Sequence, residues 1–255
     1  MTAGRPGGSV DWHRYLEHFH NERPGITEVV LSHARDGGQS PYQWLAEAVP
    51  ADQVVLDLAC GNGSLWPHLG DHGWVGLDSS TAELQMARGR GATQVVRADA
   101  AAVPLRSGAV GVVVCSMALM LLQPLSTALA ELARVMRPGS TLVALLPSSR
   151  PLSPGDLARY AHLLMVLGRR HFAYPNDSEL REPARALSHA GLALVSDQRR
   201  RFTCMVSNPE VGLACVRSLY LPGQSTRRLA AATRVAEKWV GEQIGLPLRR
   251  LVART

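Results

Sequence analysis

Val54–Ser64 reads VVLDLACGNGS: apolar residues flank one carboxylate, Asp57, and the chain then breaks into two glycines spaced by one residue, Gly61 and Gly63. A buried carboxylate is costly unless something pairs with it, so an acid in the most apolar strand of the chain points to a nearby ligand or a hydrogen-bonded loop. The glycines are where backbone can turn tightly and approach a ligand.

Outward from this stretch, short apolar runs alternate with helical patterns between about residues 50 and 150. Strands are expected at Val54–Ala59, Trp74–Leu77, Gln94–Arg97, Val110–Ser116 and Thr141–Leu146. Helices are expected to start at Leu65–Gly70 and to span Thr81–Arg88 and Leu125–Met136, the last closed by Arg-Pro-Gly. Near-continuous valine and leucine in the strands indicates a parallel sheet covered on both faces, the doubly wound pattern. In such sheets the ligand sits at the carboxyl ends of the strands where their order reverses. Asp78 closes the second strand 21 residues after Asp57, close to the spacing of an acid that holds ribose hydroxyls. A dinucleotide is disfavoured, because its fingerprint needs a third glycine where this chain has Trp66.

Asp11–Ala48, rich in histidine and aromatics, reads as two or three helices outside the sheet. Beyond it lie a helix at Asp156–Leu167, strand character over Leu192–Val206 with Gln-Arg-Arg-Arg marking a turn or an edge, an amphipathic helix at Thr226–Val240 and a strand at Leu246–Ala253.

Composition excludes several classes. With 255 residues, 46% of them hydrophobic, the chain can bury a full core. The first residues lack the apolar core of a signal peptide, and Ala109–Leu122 is shorter than the ~20 residues of a membrane helix. Cys60, Cys115, Cys204 and Cys215 follow no metal or disulfide spacing, so no metal site and a reducing, cytoplasmic setting are expected. The net charge of +6 is almost all arginine, Lys238 being the one lysine. No long basic run accompanies it, so solvated surface is the plain reading. Arg199, Arg200, Arg201, Arg227, Arg228, Arg249 and Arg250 keep a nucleic-acid patch open. A monomer or homodimer is expected.

The set LDLACGNGS, VGLDSSTAELQMAR, RADAAAVPL, VVVCSMALMLL and ELARVMRPGSTLVALLP resembles the class I S-adenosylmethionine-dependent methyltransferases, in particular their bacterial small-molecule members, over residues 50–147. The resemblance implies a Rossmann-like, mostly parallel seven-stranded sheet with an amino-terminal helical cap (1–40) on a methyltransferase domain (41–255), part of 151–225 being a substrate-side insertion after the fifth strand. It implies S-adenosylmethionine as cofactor. Asp57, Ala59, Gly61 and Gly63, with Cys60 and Asn62 in the same loop, would line its methionine part. Asp78, beside Ser79, would take the ribose, Asp99 and Ala100 the adenine, and Ser116 and Met117 the pocket floor. Arg23 would reach the cofactor's carboxylate. Two positions depart from the family: Ala59 replaces a common glycine, and Glu83 a common methionine, which leaves adenine cover to Leu84 or Ser79.

The strand ending Cys-Ser-Met-Ala lacks the Asn/Asp-Pro-Pro-aromatic tetrad of amide and base methylation. A small organic acceptor is therefore expected, methylated on oxygen, carbon or nitrogen. RNA methylation, or cofactor binding without transfer, are the alternatives. Trp12, Tyr15 and Phe19 from the amino-terminal segment, and Tyr160, Phe172 and Tyr174 from the insertion, are the candidate acceptor walls. Leu164 reads as core. His20 and His171 are candidate bases should the acceptor have to lose a proton.

Overall fold

Val55, Leu56, Asp57 and Leu58 are all buried, and this short strand is the axis of the sheet. In the computed structural model, which describes residues 10–70 and 73–255, the chain opens with helices α1 (Trp12–Glu22) and α2 (Ile26–Ser32), strand β1 (Ala34–Arg35) and helix α3 (Pro41–Ala46). Then come β2 (Val55–Leu58), a 3-10 turn (Trp66–His68), β3 (Trp74–Asp78), α4 (Thr81–Gly89), β4 (Val95–Arg97), β5 (Val110–Ser116), α5 (Leu125–Val135) and β6 (Met136–Pro147). The remainder holds α6 (Pro154–Leu167), α7 (Asp177–Arg181), α8 (Pro183–Ser188), β7 (Ala193–Met205), α9 (Pro209–Arg217), α10 (Thr226–Glu237) and β8 (Gln243–Arg254).

The strand order is β1-β7-β8-β6-β5-β2-β3-β4. From β4 to β6 all neighbours are parallel, while β8, β7 and β1 are added antiparallel. After β2 the chain runs out through β3 and β4, then returns to lay β5 on the other side of β2. The order therefore reverses between β2 and β5, and their carboxyl ends form the ligand-binding crevice of this architecture. One apolar cluster covers each face of the sheet, and a third joins α6, α9 and α10 to the ends of β7 and β8. Phe19, Leu31 and Ala34 are buried in the two sheet clusters, so the amino-terminal segment is part of the core. Among the described residues no helix is long and apolar enough to cross a membrane.

Several expectations are corrected. The sheet has eight strands, because Ala34 and Arg35 pair with Cys204 and Thr203 at the far edge. The helix expected from Leu65 is a single 3-10 turn, and Trp66 lies against Trp74 with ring centroids 6.0 Å apart. Of the two readings of Gln-Arg-Arg-Arg, turn or edge, the edge holds: Gln198–Arg201 pairs residue by residue with Arg250–Pro247 inside β7, a strand near the sheet edge with few buried residues. Met136 already belongs to β6, and Arg-Pro-Gly sits in an irregularity where the partner of β5 jumps from Met136 to Thr141. Helices follow β6, and α9 and α10 separate β7 from β8, α10 falling where the amphipathic helix was expected.

Candidate functional site

Asp57 is 1% exposed, and its Oδ2 accepts a hydrogen bond from the Trp74 indole at 3.3 Å. Burial, opposed by that bond and reinforced by the charge of Asp78, pushes its carboxyl up to about 7. The acid inside the strand is thus answered by an indole from the neighbouring strand and held near neutrality in titration.

The loop that follows takes left-handed backbone at alternate residues, with φ of 54° at Ala59, 52° at Gly61 and 74° at Gly63. A Cβ on Gly63 would lie 3.3 Å from that of Ala87 on α4, so close helix approach adds to the need for glycine there. Ala59 carries a side chain where the backbone favours none. At the end of β3, Asp78 accepts from the Gly61 amide (2.9 Å) and the Ser80 amide (2.8 Å), one on each oxygen. The acid expected at the ribose is therefore also the brace of the glycine loop. Asn62 is buried, with no partner for its Nδ2, and the buried Oγ of Ser116 also lacks one. Met117, φ 57°, turns the chain at the end of β5. Cys60 is buried with its thiol pushed up, chiefly by burial. Ala100 is half-buried, while Asp99 is exposed and accepts from the Ala101 amide at 2.8 Å. Ser79 is exposed, and Leu84, 1% exposed, is core.

The turn between α1 and α2 lies beside this loop. Glu83, 2% exposed on α4, accepts from the Gly25 amide and meets His20 Nδ1 at 3.0 Å; His20 Nε2 lies 3.2 Å from the Tyr220 hydroxyl. A carboxylate only accepts, so His20 donates from Nδ1, and in the neutral imidazole Nε2 is then the acceptor for the Tyr220 hydroxyl. Glu28 of α2 is pushed up to about 8, first by burial and then by Glu83, and its Oε2 is unpartnered. Glu28, Asp57, Asp78 and Glu83 make this end of the crevice acidic.

A cavity of about 770 Å³ adjoins it across Met117. Tyr160, His171, Phe172 and Tyr174 line it, as do Leu164, expected in the core, and Tyr220. Its amino-terminal contributors are Thr27, Val30 and Leu31 of α2. Trp12, Tyr15 and Phe19 do not line it. Phe19 packs on Tyr220 with ring centroids 4.7 Å apart, Trp12 packs edge-on against Tyr15, and the Tyr15 hydroxyl accepts from the Leu221 amide at 2.8 Å. An amphipathic helix seated on a core turns its aromatics inward, so these three anchor α1. Arg23 donates to the Arg217 carbonyl at 3.3 Å and stacks over Phe19 at 5.0 Å.

Of the arginines, Arg201 pairs with Asp156, Arg249 with Asp197, and Arg200 and Arg250 flank the Trp44 ring. Arg228 donates to the Leu167 carbonyl. They do not form one free patch. Among the described residues no cluster of three or more histidines, cysteines or acids is placed to hold a metal. Sequence reasoning missed Tyr220, which carries no local signal, and noted Glu83 only as a departure.

Residues 56–144 match a family model described as a methyltransferase domain. A mouse (Mus musculus) protein, tRNA (carboxymethyluridine(34)-5-O)-methyltransferase ALKBH8, is 32% identical over 123 residues, which are 45% of this chain and 18% of that one. The chain thus spans less than a fifth of this curated relative. Among solved structures, a Bacillus halodurans protein assigned as a methyltransferase aligns with a TM-score of 0.58 at 19% identity, covering 84% of this chain and 98% of that one. The 4+2 cyclase SpnF aligns with a TM-score of 0.58 at 19% identity over 94% and 95%. These two likenesses establish a shared fold.

Proposed function

We propose that this chain, whose residues 56–144 match a methyltransferase-domain family model, is a class I S-adenosylmethionine-dependent methyltransferase that methylates a small organic molecule bound in the cavity beyond Met117. The observation that carries the reading is the Gly61–Asp78 hydrogen bond at the strand-order reversal, with a largely apolar cavity that reaches Met117 at the end of β5.

The site fits the cofactor. Buried, unpartnered Asn62 Nδ2 and Ser116 Oγ await hydrogen bonds, and the surrounding acids suit a ligand with cationic sulfonium and ammonium groups. S-adenosylmethionine supplies a methyl group already activated on sulfur. Each Asp78 oxygen keeps a free lone pair for a ribose hydroxyl. Asp57 would answer the ammonium, and Asp99 with Ala100 would edge the adenine. Met117 and Tyr220 hold the acceptor in line and help keep water out, an orientation effect worth up to several powers of ten. For an acceptor that loses a proton as the new bond to carbon forms, the Tyr220 hydroxyl takes that proton while passing its own to His20 Nε2, and Glu83 stabilises the resulting imidazolium. The four free thiols suit a reducing, cytoplasmic setting.

The match to a tRNA methyltransferase supports a second reading, RNA as acceptor. The internal pairing of Arg201 and Arg249 weakens it. Methyl-labelled S-adenosylmethionine incubated with a small-molecule extract and, separately, with structured RNA decides. Label in the small-molecule fraction, barely sensitive to salt, supports the first reading; label in RNA with steep salt dependence reverses the ranking. Since one structural neighbour is named a cyclase, the fold alone does not guarantee transfer. Cofactor binding with label in neither fraction favours a protein that binds S-adenosylmethionine without transferring methyl groups.

A further inference from the structure

The two ends of the crevice differ in chemistry. The cofactor end gathers the carboxyl groups of Glu28, Asp57, Asp78 and Glu83, with Glu28 and Asp57 raised toward neutrality, whereas the cavity wall carries four guanidinium groups, Arg150, Arg181, Arg199 and Arg249, against one carboxylate, Asp177. That carboxylate accepts from the Tyr174 amide at 2.9 Å. Arg249 is bound in a fork to Asp197, and Arg199 lies 3.4 Å from the same acid, so their charge is largely answered. Arg150, on the loop after β6, and Arg181, at the end of α7, have no side-chain acceptor among the described residues. Both are exposed at the mouth. Between them and Met117 the wall is apolar and aromatic, with Met120, Leu164, Phe172 and Tyr174.

From this arrangement we infer that the acceptor is an amphipathic anion: an apolar or aromatic body with a carboxylate or a similar acidic group, the body lying along the aromatic wall and the anion held at the mouth by Arg150 and Arg181. Guanidinium forks suit carboxylates geometrically, and a concave wall of one sign concentrates its counter-ion. A cationic acceptor would meet Arg150 and Arg181 on entry. The inference rests on the methyltransferase reading in that the opposite, acidic end is taken by the cofactor.

The test uses the whole chain saturated with S-adenosylhomocysteine. Three probes of one body, 2-naphthoate, 2-naphthalenemethanol and 2-naphthylmethylamine, are titrated calorimetrically. Naphthoate is expected to bind about tenfold or more tighter than the alcohol, and the amine weakest. In the double variant Arg150→Gln/Arg181→Gln the preference for naphthoate should disappear while the alcohol binds as before. Arg88→Gln/Arg106→Gln, exposed and outside the cavity, removes the same charge and should keep the preference. Equal binding of acid and alcohol, or a preference that survives Arg150→Gln/Arg181→Gln, overturns the inference. Circular dichroism checks that each variant folds, and the single variants, each expected to lose part of the preference, replace a double variant that does not. The same titration without S-adenosylhomocysteine separates the two readings. Naphthoate preference in a protein that fails to bind S-adenosylhomocysteine sinks the cofactor assignment and leaves the anion site standing; the reverse result sinks the anion site alone.

Discussion

Both carboxylate oxygens of Glu83 accept from the backbone amide of Gly25, at 3.0 and 3.1 Å, and so tie the start of α2 to α4 across 58 residues of chain. Methionine, common at this position in similar enzymes, cannot make that tie. Replacing Glu83 with Gln weakens a charge-assisted bond in a buried setting and should cost about 1–3 kcal/mol in denaturant unfolding. Amide exchange over residues 12–25 should accelerate. Unchanged exchange in that segment would show that Glu83 does not hold it.

Ala59→Gly should be neutral or stabilising. A left-handed non-glycine residue costs about 1–2 kcal/mol, and glycine loses back about 0.5–1 kcal/mol to unfolded-state entropy. Urea unfolding of the ligand-free protein measures the balance, and a loss above about 1 kcal/mol contradicts the strain argument.

Asp57 and Glu28 make the ligand-free protein sensitive to base. Their folded values, about 7 and about 8, lie above the ordinary carboxylate range. The folded state therefore holds protons that the unfolded state has released. Their contribution is complete below about pH 4 and is lost as pH rises through 7 and 8. Asp57→Asn should flatten that decline. An ammonium-bearing cofactor pulls the Asp57 value down, so binding near pH 6.5 should release protons, measured as heats that differ between buffers of different ionisation enthalpy. Buffer-independent heats would refute the coupling.

The opposite sign holds at the base of α6. Asp156 is buried, accepts from Ser153 and the Gly245 amide and pairs with Arg201, which hold its carboxyl well below the usual range against the effect of burial. Its contribution is present above about pH 4 and is lost as pH falls below it. Arg201→Gln leaves the acid buried without its cation and should cost about 3 kcal/mol, the low end for a buried pair because Arg201 is 30% exposed. Faster proteolysis within 150–190 is the readout.

Asp78→Ala should weaken S-adenosylhomocysteine binding by about 1.5–3 kcal/mol in calorimetry. It should also lower the stability of the ligand-free protein, because the Gly61 and Ser80 amides lose their acceptor. Unaltered binding would remove Asp78 from the cofactor site.

The central sheet was legible in the sequence because Val55–Leu58, apolar but for Asp57, and Val110–Ser116, rich in valine, are short apolar runs between turn residues, the pattern of buried parallel strands. The glycine loop was legible too, since Gly61 and Gly63 take the left-handed backbone that glycine permits. The roles of Phe19 and Tyr220 were not. Both are aromatics that could equally line a pocket or fill a core, and only the distance of 4.7 Å between rings 201 positions apart in sequence decides for Phe19. The pairing of the arginines was hidden for a related reason: a run such as Arg199–Arg201 shows its charge but not that Arg201 meets Asp156, 45 positions away, while Asp197, on the same face of the strand as Arg199, is also forked to Arg249.

The indole of Trp74 bonded to Asp57 gives the molecule an optical consequence. An indole's emission responds to charge set against it, and this one donates to the group whose ionisation shifts near neutrality, with Trp66 6.0 Å away to share its excitation. Once Trp12, Trp44 and Trp239 are replaced by phenylalanine, the remaining pair becomes an internal dye beneath the glycine loop. Its colour would follow proton and ligand at that loop in real time, with no label attached.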